Sequence, residues 1–178
     1  CKKLGYDVTN EFIAFPKNFK EAHDRVADLV EEKREQLEEQ KQAAIRQEIA
    51  SMYEGLQEQY GWSNKKFCIA APHSANEIIT EGQTLHHCVG TYLERVAEGE
   101  SIILFLRQNE NPDTPFYTIE VRGFNIIQCR GKCNTPMTPA VKAVTERYQQ
   151  EVLDKLKIAS QKGDTLCVIG LRKPVLAV

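Results

Sequence analysis

Between Phe116 and Arg130 the side chains alternate about a single glycine. Tyr117, Ile119 and Val121 share one parity and Thr118, Glu120 and Arg122 the other; beyond Gly123, Ile127 and Cys129 alternate with Ile126, Gln128 and Arg130. Period-two alternation on both sides of a turn residue predicts an antiparallel hairpin. The same pattern predicts its register. With Gly123-Phe124-Asn125 as the loop, Arg122 faces Ile126, Glu120 faces Gln128 and Thr118 faces Arg130, while Tyr117, Ile119, Val121, Ile127 and Cys129 form one apolar face. A two-residue loop would set Glu120 beside Ile127 and Gln128 beside Ile119. Because a one-residue slip moves every side chain to the other face, the pattern selects the three-residue loop. The rest of the chain must then cover an apolar sheet face. The row Thr118, Glu120, Gln128 and Arg130 is left together, as a solvated face or as a site.

The remaining elements supply that cover. Residues 66–71 read as a short strand ended by Pro72, and residues 101–107 as a continuous apolar strand. Residues 74–81 read as a short helix ended by Gly82. A second helix begins at Thr84 as N-cap, carries Leu85, Cys88, Val89, Tyr92 and Val96 on its apolar face, and ends at Gly99. Thr138-Pro139 starts another helix, with Val141, Val144, Tyr148, Val152 and Leu156 as its stripe. Residues 165–169 read as a last edge strand. Upstream, residues 17–60 hold 11 acids against 7 bases, with no glycine or proline before Gly55. Such a composition predicts a long helix, polar all round in its middle and docked through Ile45, Ile49, Met52 and Leu56. The expected fold is therefore α+β: a small antiparallel sheet with helices packed on one face, preceded by a long N-terminal helical arm. Residues 1–62 form the arm or linker and 63–178 the domain.

Composition excludes several classes. At 178 residues, 42% hydrophobic and a formal charge of −2, the chain is neither disordered nor a globally basic nucleic-acid binder. No apolar run approaches the roughly 20 residues of a membrane helix. Six cysteines are too sparse for a secreted disulfide scaffold and no signal peptide is visible, so reduced thiols in a cytoplasm are expected. The chain starts at Cys1 without an initiator Met, as a fragment of a longer polypeptide would.

The densest reactive cluster is His86-His87-Cys88. Near a helix start, free N–H groups and the macrodipole favour a thiolate, so Cys88 is a candidate nucleophile. Against that, helical neighbours point about 100° apart, so His87 serves Cys88 only if the helix start is irregular; otherwise His73 is required. Cys88 on the apolar stripe also fits a small buried hydrophobe. A zinc site from His73, His86, His87, Cys88, Cys129 and Cys133 lacks the two-residue knuckle, so no metal or cofactor is expected. Gly90, one turn into its helix, predicts a close backbone approach, and Gly131 a flexible anion contact. Arg107 is expected to pair with a carboxylate such as Glu120. Between Val121 and Ala143 stand Arg122, Arg130, Lys132 and Lys142 with no acid, a candidate nucleic-acid contact. The 17–60 helix is a candidate surface for a protein partner.

Four blocks in order carry a resemblance: residues 85–92 (Leu-His-His-Cys-Val-Gly-Thr-Tyr), 103–107 (Ile-Leu-Phe-Leu-Arg), 115–121 (Pro-Phe-Tyr-Thr-Ile-Glu-Val) and 127–134 (Ile-Gln-Cys-Arg-Gly-Lys-Cys-Asn). Over residues 67–156 the chain resembles the PcfJ-like proteins of conjugative plasmids, integrated elements and phages. The pattern of that family falls on His87, Cys88, Gly90, Tyr92, Arg107, Thr118, Glu120, Gln128, Gly131 and Asn134, and leaves His86 and Cys133 outside it. The resemblance implies that the polar hairpin row is a site. Its catalytic version has Cys88 as nucleophile, His87 as acid/base, Glu120 orienting it and Gln128 or Asn134 as oxyanion donors, with Arg107, Thr118, Arg130 and Lys132 binding. Its other version is a non-catalytic adaptor for nucleic acid or protein.

Overall fold

The computed structural model describes residues 17–53 and 55–161. The strand expected over 165–169 lies outside them, as do Cys1 and Cys167. In sequence, the chain divides into two compact units, 1–44 and 45–178. Helix α1 (Phe19–Tyr53) spans that division. Asn18 starts it, its Oδ1 accepting from the Glu21 N–H at 3.2 Å. Residues 31–41 are exposed on every side, and the polar pairs along the helix (Glu21 with Arg25, Glu31 with Arg34, Glu38 with Gln42) are surface contacts. Each is worth only about 0.2–0.5 kcal/mol, so composition more than pairing sustains this stretch.

The second unit is α+β. Its sheet has five antiparallel strands in the order β1 (Trp62–Ser63), β2 (Phe67–Ala70), β3 (Ile102–Gln108), β4 (Tyr117–Arg122) and β5 (Asn125–Gly131). Strand β1 straddles the 62/63 boundary expected between arm and domain. Every residue from Ile102 to Arg107 and from Tyr117 to Val121 is buried. Since neighbours in a strand point to opposite faces, both faces of β3 and β4 are covered. Ile49, Tyr53 and Leu56 join the core, with Ile45 and Met52 packed against it. Glycine at 55 adopts a left-handed φ of 83° and separates α1 from α2 (Leu56–Tyr60).

The hairpin keeps the expected facing of Glu120 with Gln128 and of Thr118 with Arg130, but by another route. Arg122 pairs with Asn125 and Val121 with Ile126, which leaves Ile127 without a partner. The loop is thus the two residues Gly123 and Phe124, both at positive φ (52° and 67°). Such a turn matches the strand twist better than a longer one, and the bulge at Ile127 restores the register. Ile127 consequently leaves the expected apolar face and is 53% exposed. The Gln149 amide pins the turn, donating to the Phe124 carbonyl at 2.8 Å and accepting from the Ile126 N–H at 3.2 Å.

Gln149 opens a π-helical segment (Gln149–Leu153) between α5 (Pro139–Tyr148) and α6 (Asp154–Gln161). Thr138 caps α5 as expected, accepting from the Val141 N–H at 3.3 Å. One π turn inserts a residue into the helical register. The buried stripe accordingly runs Val141, Val144, Tyr148 and then Leu153, where Val152 was expected.

The segment before β3 departs most from expectation. Helix α3 (Ala75–Leu85) is capped by Ser74 and continues through Gly82 to end at His86, whose φ is 53°. Thr84 caps nothing; it is interior. A 3-10 turn (Cys88–Tyr92) and the short helix α4 (Leu93–Ala97) follow. The glycine that permits this close folding is Gly82. A Cβ there would lie 3.0 Å from the Gly90 nitrogen and 3.0 Å from the His87 oxygen, whereas one at Gly90 would meet only the Ile79 Cα at 3.6 Å. The close approach expected at Gly90 therefore belongs to its partner. Gly82→Ala should lower stability by about 1–3 kcal/mol, because two backbone atoms must shift. Gly90→Ala should change it by about 1 kcal/mol or less. Urea denaturation of the two variants checks this, and equal losses would refute it.

Candidate functional site

The folded-back 3-10 turn faces the polar side of the hairpin across a narrow cleft of about 30 Å³, lined by His87, Cys88, Val89, Tyr92, Ile103, Thr118, Glu120, Gln128, Arg130 and Asn134. The five candidate catalytic residues thus share one cavity with two of the candidate binding residues, Thr118 and Arg130. Lys132 is exposed and Arg107 buried, and neither lines it. Cys88 is exposed rather than buried among the apolar residues of its turn. Leaving the α-helical path removes the 100° constraint between His87 and Cys88: His87 has an extended backbone (φ −141°), and the turn begins after it.

Two hydrogen-bonded chains run from the cleft into the protein. In the first, His87 Nε2 lies 3.1 Å from Thr118 Oγ1, which donates to Glu81 Oε1 at 3.0 Å. Glu81 in turn binds Arg107 through both oxygens, at 3.0 and 2.5 Å. Arg107 also lies 4.5 Å from the centre of the Phe105 ring. Its buried partner is therefore Glu81 on α3, not the expected Glu120. In the second chain, the Cys88 thiol donates to Tyr92 Oη at 3.6 Å. The Gln128 amide donates to Tyr92 Oη at 3.4 Å and to Glu120 Oε2 at 2.7 Å. Glu120 is further bound by Ser101 Oγ at 2.8 Å and Arg122 Nη2 at 2.7 Å.

These contacts assign roles differently from the sequence. The carboxylate that reaches His87 is Glu81, through Thr118; the hydrogen bonds of Glu120 go to Ser101, Arg122 and Gln128. Gln128 spends its amide hydrogens on Glu120 and Tyr92, so it holds Tyr92 in place. With the thiol protonated Tyr92 Oη accepts from both Cys88 and Gln128; once Cys88 ionises, the Tyr92 hydrogen turns to the thiolate. The Cys88 hydrogen bond chiefly raises the Tyr92 hydroxyl above its ordinary value, partly opposed by Gln128. Desolvation lowers the His87 value, against its own backbone and the Glu81 charge. Gly131 takes the Tyr117 ring 3.0 Å from where a Cβ would stand, so close packing accounts for this glycine. Cys129 is buried and pushed up to about 12 by desolvation. Among the described residues no three His, Cys, Asp or Glu side chains gather as metal ligands, and no helix is long and apolar enough to cross a membrane.

The sequence reading missed Glu81, Ser101 and the position of Tyr92. Glu81 had a signal: it sits between Ile78 and Leu85 on the buried stripe of α3, where a lone carboxylate requires a partner.

A family model described as PcfJ-like protein matches residues 1–164. The chain belongs to the PcfJ-like family. It is 28% identical over 159 residues to Lin1253/Lin1744, an uncharacterized Listeria innocua protein, which covers 88% of this chain. The chain spans 33% of that relative's length. No solved structure matches. Of the residues on which the resemblance falls, His87, Cys88, Tyr92, Arg107, Thr118, Glu120 and Gln128 are linked by the two chains, and Gly131 packs tightly against the Tyr117 ring.

Burial works against ionisation of Glu120, but hydrogen bonds from Arg122, Ser101 and Gln128 outweigh it and hold the carboxyl below its ordinary 4.5. A depressed value means the stabilisation is complete above the unfolded-state value and is lost as pH falls through the folded one. Glu120→Gln should therefore flatten the acid limb of stability against pH, measured by urea denaturation between about pH 3 and 7. An unchanged limb would exclude the assignment.

Proposed function

We propose that this cleft is the active site of a cysteine-dependent hydrolase or transferase. Cys88 is the nucleophile, His87 the acid/base, and Tyr92 Oη with the Asn134 amide the donors to a developing oxyanion. The thiolate attacks an acyl, amide or phosphate-type centre. The bond to the leaving group breaks as His87 returns a proton, and water or a second acceptor then releases the enzyme. Family membership supports a place for this chemistry in a bacterial mobile genetic element, a conjugative plasmid or phage, within the reducing cytoplasm. The observation that carries the reading is the exposed Cys88 thiol hydrogen-bonded to Tyr92, whose hydroxyl can turn its proton to the thiolate.

Iodoacetamide labelling at pH 7, mapped by peptide mass, tests it. Cys133, also exposed, is the internal reference. Cys88 should react at least about tenfold faster, as activated thiols do, and Tyr92→Phe should remove most of that advantage. Equal rates at Cys88 and Cys133 would sink the reading.

A non-catalytic adaptor is favoured by one observation. Arg130 and Lys132 are exposed and form no salt bridge among the described residues, whereas Arg122 is tied to Glu120 at 2.7 Å and Lys142 lies 3.9 Å from Glu146. In this reading the pair meets nucleic acid, and the helix over 17–60 meets a protein partner. Two phosphate contacts give a slope of log affinity against log salt of only about −2. Binding of a short duplex with that slope, abolished by Arg130→Ala with Lys132→Ala, is the expected result. A slope untouched by the double substitution would exclude these residues as the contact.

A further inference from the structure

We infer that Glu81, acting through Thr118, is a positioning residue that fixes the tautomer of His87, with the proton on Nε2 and the lone pair on Nδ1. Its use in catalysis rests on the reading of the cleft as an active site; the tautomer itself does not.

Thr118 Oγ1 has a single hydrogen and two lone pairs. It stands 3.0 Å from Glu81 Oε1 and 3.1 Å from His87 Nε2, and its hydrogen can serve only one of them. Glu81 is held as a carboxylate by both arms of Arg107, a cation that does not deprotonate. An ionised carboxylate can only accept, and a hydrogen bond to it is roughly twice as strong as a neutral one. Were the hydroxyl to turn toward the imidazole, two oxygens would face each other at 3.0 Å with no proton between them. The hydrogen therefore goes to Glu81, and His87 Nε2 must donate. In a neutral ring the other nitrogen is then bare.

Neutrality of the ring follows from its surroundings. Desolvation, the largest influence, opposes the imidazolium and outweighs the ring's own backbone and the Glu81 charge behind Thr118, which favour it. Glu120 and Arg130 also line the cleft, and Cys88 and Tyr92 are the neighbouring groups able to exchange a proton. When Nδ1 takes a proton from the cleft, Nε2–H stays on Thr118 and no other hydrogen need move. The arrangement performs the office of the aspartate in a serine-protease triad, with a threonine hydroxyl interposed and the carboxylate anchored by a buried arginine.

Selective 15N labelling of histidine in the full chain, read by two-bond 15N–1H correlation at about pH 8, measures the tautomer. The four rings are His23, His73, His86 and His87, and His87→Gln assigns the signal. The wild-type ring should carry its proton on Nε2 alone. Thr118→Val, nearly isosteric, should release it to a mixture of both tautomers, and Thr118→Ser should restore the single form. Glu81→Gln, which offers Thr118 a donor in place of an acceptor, should shift the population toward Nδ1–H. A wild-type ring protonated on Nδ1, or a tautomer ratio unchanged by Thr118→Val, would overturn the inference. A ring with the inferred tautomer beside a Cys88 no more reactive than Cys133 would leave the positioning role standing and remove only the catalytic reading.

Discussion

The contact on which the rest of the second unit turns is the buried ion pair between Arg107 and Glu81. Both side chains are almost fully enclosed, 9% and 1% exposed. A buried pair of this kind is weak evidence for net stability, because desolving two charges costs as much as their attraction returns. Its value lies in what it forbids. Removing either partner strands a charge in the core, at a cost of about 3–5 kcal/mol, so α3 cannot slide along β3 or rotate without a large penalty. Fixing α3 fixes Gly82, against which His87 and Gly90 are folded, and thereby the start of the turn that presents Cys88. The same carboxylate then reaches Thr118 on β4. One pair of side chains thus sets the distance between the two walls of the cleft.

Elsewhere the sheet is finished by side chains where strands run out. Strand β2 pairs with β3 only as far as Phe105. Beyond it the Tyr53 hydroxyl accepts from the Ile103 N–H at 3.0 Å and donates to the Ile103 carbonyl at 3.2 Å. Gln149 does the same at the hairpin turn on the other edge. A buried backbone group without a partner costs roughly 1–3 kcal/mol, so each of these residues replaces a piece of strand. They also tie the end of α1 and the π-helical segment to opposite margins of the sheet, which leaves the polar side of β4 and β5 free for the cleft.

What was legible in the sequence and what was not divides along a physical line. Alternation revealed β4 and β5 and brought Glu120 opposite Gln128, because period-two burial is a local property written residue by residue, and a continuous apolar run revealed β3. Thr138-Pro139 announced α5 for the same reason. The turn of the hairpin was misjudged, since a two-residue loop with a bulge and a three-residue loop give the same facing at Glu120 and differ only beyond it, in the partners of Val121 and Arg122 and the exposure of Ile127. The stripe of α5 drifted from Val152 to Leu153 because a π turn leaves no mark in side-chain periodicity. The fold-back at 86–92 was hidden for a stronger reason. Its left-handed residue is His86 rather than glycine, and the glycine it depends on, Gly82, lies inside the preceding helix, where it reads as a stop. Cys88, Thr118 and Gln128 could be grouped as a site, but the carboxylate serving His87 could not be chosen from sequence, because Glu81 and Glu120 compete and only the packing of α3 decides between them.

That division bears on how the cleft is built. The residues around it fall into acceptors that are fixed and donors that are spent, with few groups left over. Glu81 is saturated by Arg107 and Thr118, and Glu120 by Ser101, Arg122 and Gln128. Gln128 has given its amide hydrogens to Glu120 and Tyr92. The groups with hydrogen-bonding capacity to spare are the Tyr92 hydroxyl hydrogen, Nδ1 of His87, and the side chains of Arg130 and Asn134, all of which line the same cavity. A network built only to lock a sheet to its helices would have no reason to leave its free valences on one side. Here they converge around an exposed thiol, with one base and three donors, a complement suited to a group that gains negative charge as it reacts. The buried ion pair and the saturated glutamates are then the frame that keeps those few free groups from collapsing onto one another.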